Sequence, residues 1–236
     1  MIQIMRKIYG WCLPPTCILC HYPTQRAQDL CQSCCDELPI LPQSCPRCAN
    51  ILTSPASSCG VCLQKPPLVS AMHVLFSYQA PITKLIMELK FHENLINARL
   101  LGELMSSAIR QRWYIHKPLP DLIIPMPLHP RRLRERGFNQ ALEICRPIAK
   151  TLAIPLDATS CSRTKNTVAQ ARQSAKDRRQ NMRQAFHCSR DFAGLHIAVL
   201  DDVTTTGSTL HELISTLTKT RPRQIDVWCC AKTLLR

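Results

Sequence analysis

The sequence predicts an α/β protein with a parallel sheet, preceded by a small cysteine-rich metal-binding module. Three observations predict it: paired cysteines repeat within the first 62 residues, two apolar runs of strand length follow, and the second leads into a helical period. The chain has 236 residues, 45% hydrophobic and 19% charged, which suits a globular core and excludes a wholly disordered or fibrous chain. Thirty Lys and Arg against sixteen Asp and Glu leave a formal charge of +14, so an anionic partner is expected: nucleic acid, a nucleotide or a membrane surface. The six glycines are scattered, which excludes a dinucleotide fingerprint and a Walker A loop. The longest uncharged stretch, Ile8 to Gln25, carries Pro14, Pro15 and Pro23, so no integral membrane segment is expected. Arg6 and Lys7 precede only a short apolar patch without a cleavage signal, and a cytoplasmic location is expected.

The module comes first. Ten of the fifteen cysteines lie in the first 62 residues, and the five others, at 145, 161, 188, 229 and 230, show no ligand spacing. An offset of 28 superposes Cys17, Cys20, Cys31 and Cys34 on Cys45, Cys48, Cys59 and Cys62, each half reading C-x2-C-x10-C-x2-C. Two thiolates on each tight turn suit tetrahedral Zn²⁺, and the repeat selects Cys34 over the adjacent Cys35. Disulfides would need an oxidising compartment, and an iron–sulfur cluster would use similar ligands, but two structural zinc ions are expected. Their ligands could pair sequentially or interleave; sequential pairing is expected because each repeat is self-sufficient. A front this poor in apolar residues folds on metal binding, worth ~10–16 kcal/mol per site. Each four-thiolate centre carries about −2, leaving a net charge of roughly +10. The boundary falls near Leu68, giving a double ribbon over 1–68 and an α/β domain over 69–236. Residues 1–70 hold five basic and three acidic residues, leaving 25 and 13 for the rest, so most of the positive excess is in the body.

In the body, His196 to Leu200 reads as a buried parallel strand, and Asp201 to Thr209 as a loop entering a helix with Leu210, Leu213, Ile214 and Leu217 on one face. Unpaired N–H groups at the helix start, with Thr205, Thr206, Ser208 and Thr209, make a phosphate cradle, and Gly207 admits a close approach. Asp201 and Asp202 would repel phosphate, so their partners are hydroxyl groups or a metal ion. A phosphorylated ribose with a divalent cation meets both demands. Asp121 to Ile124 is a second buried strand, stopped by Pro125 and Pro127 and followed by Arg131, Arg132, Arg134 and Arg136, a second anion site at a strand end. Arg163 to Arg190 holds eight basic residues and one acid, Asp177, and reads as a mobile basic arm. His211-Glu212 begins like a zinc-protease helix but has Ser215 where the second His is required, so that reading is discarded.

Residues 198–209 resemble the phosphoribosyltransferase signature of an apolar run followed by two acids and a Thr/Gly loop, with Thr204 where an aliphatic residue is usual. Together with the cysteine repeat and Leu38-Pro39, Pro125 to His129, Arg132 to Gln140, Arg163, Thr167, Gln170, Asp177 to Asn181 and Ala185-Phe186, the chain resembles the competence protein F (ComF) family. Met126, Asp177 and Gln173 depart from the usual Val, Glu and Leu. The resemblance implies a type I phosphoribosyltransferase fold, a parallel sheet flanked by helices with a hood over the cleft. It implies that Asp201 and Asp202 meet the ribose hydroxyls of phosphoribosyl pyrophosphate (PRPP), and that Val203 to Thr209 hold its 5′-phosphate. Pro127, Leu128 and His129, with Arg132 or Arg136, would form the pyrophosphate loop, Mg²⁺ would bridge pyrophosphate and ribose, and Arg163, Gln170, Arg178 and Arg179 would close over them. The family's association is with DNA uptake in natural transformation and growth on external DNA. Three functions are therefore expected to compete: phosphoribose transfer to an unknown acceptor, PRPP-responsive binding of single-stranded DNA without turnover, and a scaffold that joins other uptake proteins through the ribbon.

Overall fold

The computed structural model describes residues 15–165, apart from 25, 27 and 55, and 185–234. In chain order the front holds two short helices, α1 (Gln32–Asp36) and α2 (Gly60–Gln64). Strand β1 (Ala71–Ser77), helices α3 (Ile82–His92) and α4 (Leu95–Ala108) and a π-helical turn (Ile109–Trp113) follow. Next come β2 (Leu122–Pro125), α5 (Pro130–Arg136), α6 (Gln140–Leu152) and an antiparallel ribbon of β3 (Cys161–Arg163) with β4 (Phe186–Cys188). The chain then forms β5 (His196–Thr204), α7 (Ser208–Thr218) and β6 (Gln224–Lys232).

The main sheet has the order β1-β6-β5-β2, every neighbouring pair parallel. Its centre is β5 and β6, whose runs Ile197 to Leu200 and Ile225 to Ala231 are buried nearly throughout, as strands covered on both faces require. Both acids of the 201–202 pair lie within β5, which the sequence reading had ended at Leu200. The pairing of Asp201 with Cys229 and of Thr204 with Lys232 carries the strand on, because its long partner β6 continues to offer ladder partners there. Alternation turns Leu200, Asp202 and Thr204 to the enclosed side and Asp201 and Val203 to the more open one.

Both edges of the sheet are covered. At β2, the N–H of Ile123 donates to Pro155 O and that of Asp157 to Ile123 O, each at 2.9 Å. At β1, the cysteine-rich front supplies the cover: the N–H of Leu41 donates to Leu75 O at 2.9 Å and that of Ser77 to Pro39 O at 2.8 Å. Leu30, Leu38, Leu41 and Ala49 are buried in the same apolar core as the sheet, so the front is less bare than its composition suggests. Covering an edge this way removes a template for chain-to-chain pairing.

At the N-terminal end of the sheet a polar cluster is fully enclosed. Asp226 pairs with His196 Nε2 at 2.8 Å and accepts from Tyr114 OH at 2.6 Å, and Trp228 Nε1 donates to Tyr114 OH at 3.2 Å. Burial pushes Asp226 up, but the hydrogen bonds from His196, Tyr114 and Gln224 outweigh it and hold the carboxyl below its ordinary value. Among the described residues no helix is long and apolar enough to cross a membrane.

The helix layer depends on a close crossing of α4 and α6. A Cβ at Gly102 would lie 2.3 Å from Pro147 Cγ and 2.7 Å from Ile144 O, so only glycine fits. Gly102→Ala is expected to lower the unfolding free energy by about 1–3 kcal/mol, seen as a lower urea midpoint at unchanged slope.

Candidate functional site

The eight predicted ligands form two separate groups. The sulfurs of Cys17, Cys20, Cys31 and Cys34 all lie within 4.8 Å of one another, as do those of Cys45, Cys48, Cys59 and Cys62. The sets follow the sequence repeat, so the structure groups the ligands sequentially and does not interleave them. The helix starts aim backbone donors at the sulfurs: the N–H of Cys34 donates to Cys31 Sγ at 3.5 Å, and that of Cys59 to Cys45 Sγ at 3.3 Å. Burial opposes ionisation of Cys17 and Cys45, yet donors led by the N–H groups of Cys31 and Cys59 hold each at about 6. Cys34 and Cys62 are pushed up, first by burial and then by the neighbouring sulfurs. Four thiols this close cannot all ionise without a cation among them, and zinc fits that donor set.

The second site gathers at the C-terminal end of β5. Asp202 is 3% exposed. It forms an ion pair with Lys90 of α3, and Gln140 Nε2 at the start of α6 donates to its Oδ1 at 3.2 Å. Arg136, the last residue of α5, donates to Gln140 Oε1 and stands over the Phe91 ring at 5.8 Å. Asp201 is pushed up to about 8, by burial first and then by the charge of Asp202, with Lys90 pulling the other way. Burial lowers the pKa of Arg136 and of Arg163; the charges acting on Arg136 are those of Asp202 and Arg132, and on Arg163 those of Asp201 and Arg132. Three elements, β5, α5 and β3, thus bring Asp201, Asp202, Arg132, Arg136 and Arg163 into one electrostatic neighbourhood.

The loop after β5 has the features its sequence requires. Gly207 adopts φ +72°, a left-handed conformation suited to glycine, and α7 starts at Ser208 with no side-chain cap on its first N–H groups. Thr205 and Thr206 are exposed, Val203, Ser208 and Thr209 half-buried, and Thr206 Oγ1 donates to Ser208 Oγ at 3.2 Å. Thr204 is buried with its Oγ1 lacking a hydrogen-bond partner, 3.9 Å from where a Cβ at position 207 would sit. Pro127 is buried after β2, Leu128 and His129 are half-exposed, and His129 caps α5 by accepting from the N–H of Arg131 at 3.2 Å. Asn139 ties this turn to α6: its Nδ2 donates to Met126 O at 3.0 Å and its Oδ1 accepts from the N–H of Ala141 at 3.0 Å. Gln170, Arg178 and Arg179, and most of the basic arm, lie outside the described residues.

The sequence reading missed Lys90 and Gln140. A signal for Lys90 was present: Ile82, Ile86 and Lys90 share one stripe of α3, and a cation on a buried stripe calls for a buried anion. Gln140 was singled out only as the end of the Arg132 to Gln140 motif, with no role assigned.

Together these features define an α/β protein with a paired-acid and hydroxyl-loop site at a strand end and a four-cysteine double ribbon at its front. A model of the double zinc ribbon domain matches residues 8–63. The DNA utilization protein YhgH of Salmonella typhi is 34% identical over 224 residues, 94% of this chain and 99% of its own. Competence protein F of Haemophilus influenzae is 35% identical over 221 residues, 92% of this chain and 96% of its own. The chain belongs to this competence protein F and YhgH family. Among solved structures, a purine phosphoribosyltransferase from Pyrococcus horikoshii overlaps 56% of this chain and 80% of its own at 16% identity, with a TM-score of 0.35.

Two outcomes follow from this geometry. Changing Cys45 and Cys59 together to Ser is expected to halve the zinc content measured by mass spectrometry, whereas interleaved ligands would lose both ions. Because the folded pKa of Asp201 lies above its unfolded value of roughly 3.9, the native state holds an extra proton between these limits. Stability without ligand is therefore expected to fall as pH rises from about 4 towards about 8, and Asp201→Asn to flatten that fall in melting temperatures taken across the range.

Proposed function

We propose that the cleft at the ends of β2 and β5 binds PRPP with Mg²⁺, and that the protein transfers phosphoribose to an acceptor in the use of external DNA. The observation that carries this reading is that Asp201 and Asp202 run into a glycine-turned hydroxyl loop while their charges act on Arg136 and Arg163, both of which also feel Arg132. The uncapped N–H groups of α7 and the hydroxyls of 204–209 would hold the 5′-phosphate. Asp201 and Asp202 would accept from the ribose hydroxyls, and Arg132, Arg136 and Arg163 would face the pyrophosphate. Two carboxylates beside a pyrophosphate give the all-oxygen set that Mg²⁺ prefers, and the ion would neutralise charge on the leaving group. As the bond from the anomeric carbon to pyrophosphate breaks, negative charge grows on the pyrophosphate, where arginines already in place stabilise it without reorganising. The names of the YhgH and competence protein F relatives support the link to DNA.

A second reading is PRPP-responsive binding of single-stranded DNA without turnover. The exposed face of α5, with Arg131, Arg132 and Arg134, favours it within a strongly basic body.

Calorimetric titration of the zinc-loaded protein with PRPP and Mg²⁺ tests the shared part. Saturable binding is expected, weakened at least about tenfold in the Asp201→Ala, Asp202→Ala double variant, since each lost hydrogen bond to a charged group costs about 1.5–3 kcal/mol. No binding, or equal binding by the variant, would remove the proposal. Pyrophosphate release on adding an oligonucleotide then separates transfer from binding alone.

A further inference from the structure

Cys161 and Cys188 are far apart in sequence, yet β3 and β4 place them directly opposite each other. Their sulfurs are 3.1 Å apart. The ladder fixes which kind of pair they make. The N–H of Ser189 donates to Ser160 O at 2.9 Å and that of Thr164 to Ala185 O at 2.8 Å, so the 160/189 and 164/185 pairs are hydrogen-bonded ones. Position 161/188 falls between them, a non-hydrogen-bonded pair whose Cα atoms stand about 4.5 Å apart, inside the span a disulfide bridges. The backbone therefore already has the spacing that the oxidised form needs.

Access is one-sided. Cys161 is buried, whereas Cys188 is half-buried and lines a cleft of about 270 Å³ with Phe186, His187, Glu212, Thr216 and Lys219. The hydrogen bond between the two sulfurs lowers the pKa of Cys188 and raises that of Cys161, so the accessible sulfur is also the better nucleophile. Cys145, Cys229 and Cys230, by contrast, are buried thiols that burial holds in the neutral form.

We propose that Cys161 and Cys188 are a redox-active dithiol that closes to a cross-strand disulfide on exchange with a small-molecule disulfide. The Cys188 thiolate attacks one sulfur of glutathione disulfide, forming a mixed disulfide and releasing one glutathione. Cys161 then loses its proton and attacks Cys188 Sγ, releasing the second glutathione. The two protein thiols give up two electrons and two protons, and the small disulfide becomes two thiols. Cys161 and Arg163 lie on the same face of the ribbon, so the bond fixes the register of the strands that hold Arg163 beside Phe186 and near Asp201. The dithiol stands independently of what the neighbouring cleft binds.

The test is to equilibrate full-length, zinc-loaded protein in graded glutathione redox buffers, trap free thiols by alkylation in acid and map peptides by mass spectrometry. A 161–188 cross-linked peptide is expected to replace the two alkylated peptides cooperatively while the zinc content stays constant. In Cys161→Ser the glutathione adduct is expected to accumulate on Cys188, and in Cys188→Ser position 161 is expected to stay unmodified. If both thiols remain alkylatable across the series, or if bonds form only with zinc ligands after metal loss, the proposal is overturned. The wild-type map decides this even if a variant fails to fold.

Discussion

A carboxylate removed from water at the end of a strand must be compensated, and the body of this protein is organised around one. Leaving Asp202 buried and unpaired would cost several kcal/mol. Its compensation closes into a circuit: Asp202 pairs with Lys90, whose neighbour Phe91 lies under Arg136, which donates to Gln140, which returns to Asp202. One strand and three helices meet in that circuit. Its geometry sets where α3, α5 and α6 sit relative to β5, and so where the arginines of α5 stand relative to the acid pair. Next to it, burial and the charge of Asp202 push the carboxyl of Asp201 up to about 8, against the pull of Lys90.

The ribbon and the body are joined more closely than two beads on a string. Pro39 and Leu41 pair with the edge of β1, the N–H of Met72 donates to Pro46 O at 2.7 Å, and Lys232 Nζ donates to Cys48 O at 3.1 Å. Cys48 belongs to the second cysteine cluster and Lys232 to the end of β6, next to Thr204 in the ladder. The front is thus mechanically continuous with the strand pair that carries the acids.

Much of this was legible in the sequence, and the limits have physical causes. The cysteine repeat identified the eight candidate ligands and favoured their sequential grouping, because metal geometry acts through local spacing, which a sequence displays directly. The apolar run, acid pair and hydroxyl loop of 196–209 were legible for the same reason, since strand, turn and helix start follow one another without interruption. The length of β5 was not, because it depends on β6 continuing beside it, a long-range pairing. Lys90 and Gln140 were missed because their roles exist only once α3 and α6 converge on Asp202. Cys161 and Cys188 became partners only through the antiparallel register of β3 and β4, which no spacing rule encodes. The front's burial of Leu30 and Leu38 likewise depends on a neighbour, the sheet edge, that its composition does not reveal.

In the proposed function, the start of α7 and the arginines after β2 are two anion subsites that flank one acid pair. Phosphorus NMR with ribose 5-phosphate and pyrophosphate in the presence of Mg²⁺ tests it most directly. Both ligands are expected to bind at once, each keeping its bound resonance when the other is added. Displacement of one by the other would mean a single anion site and would contradict the claim.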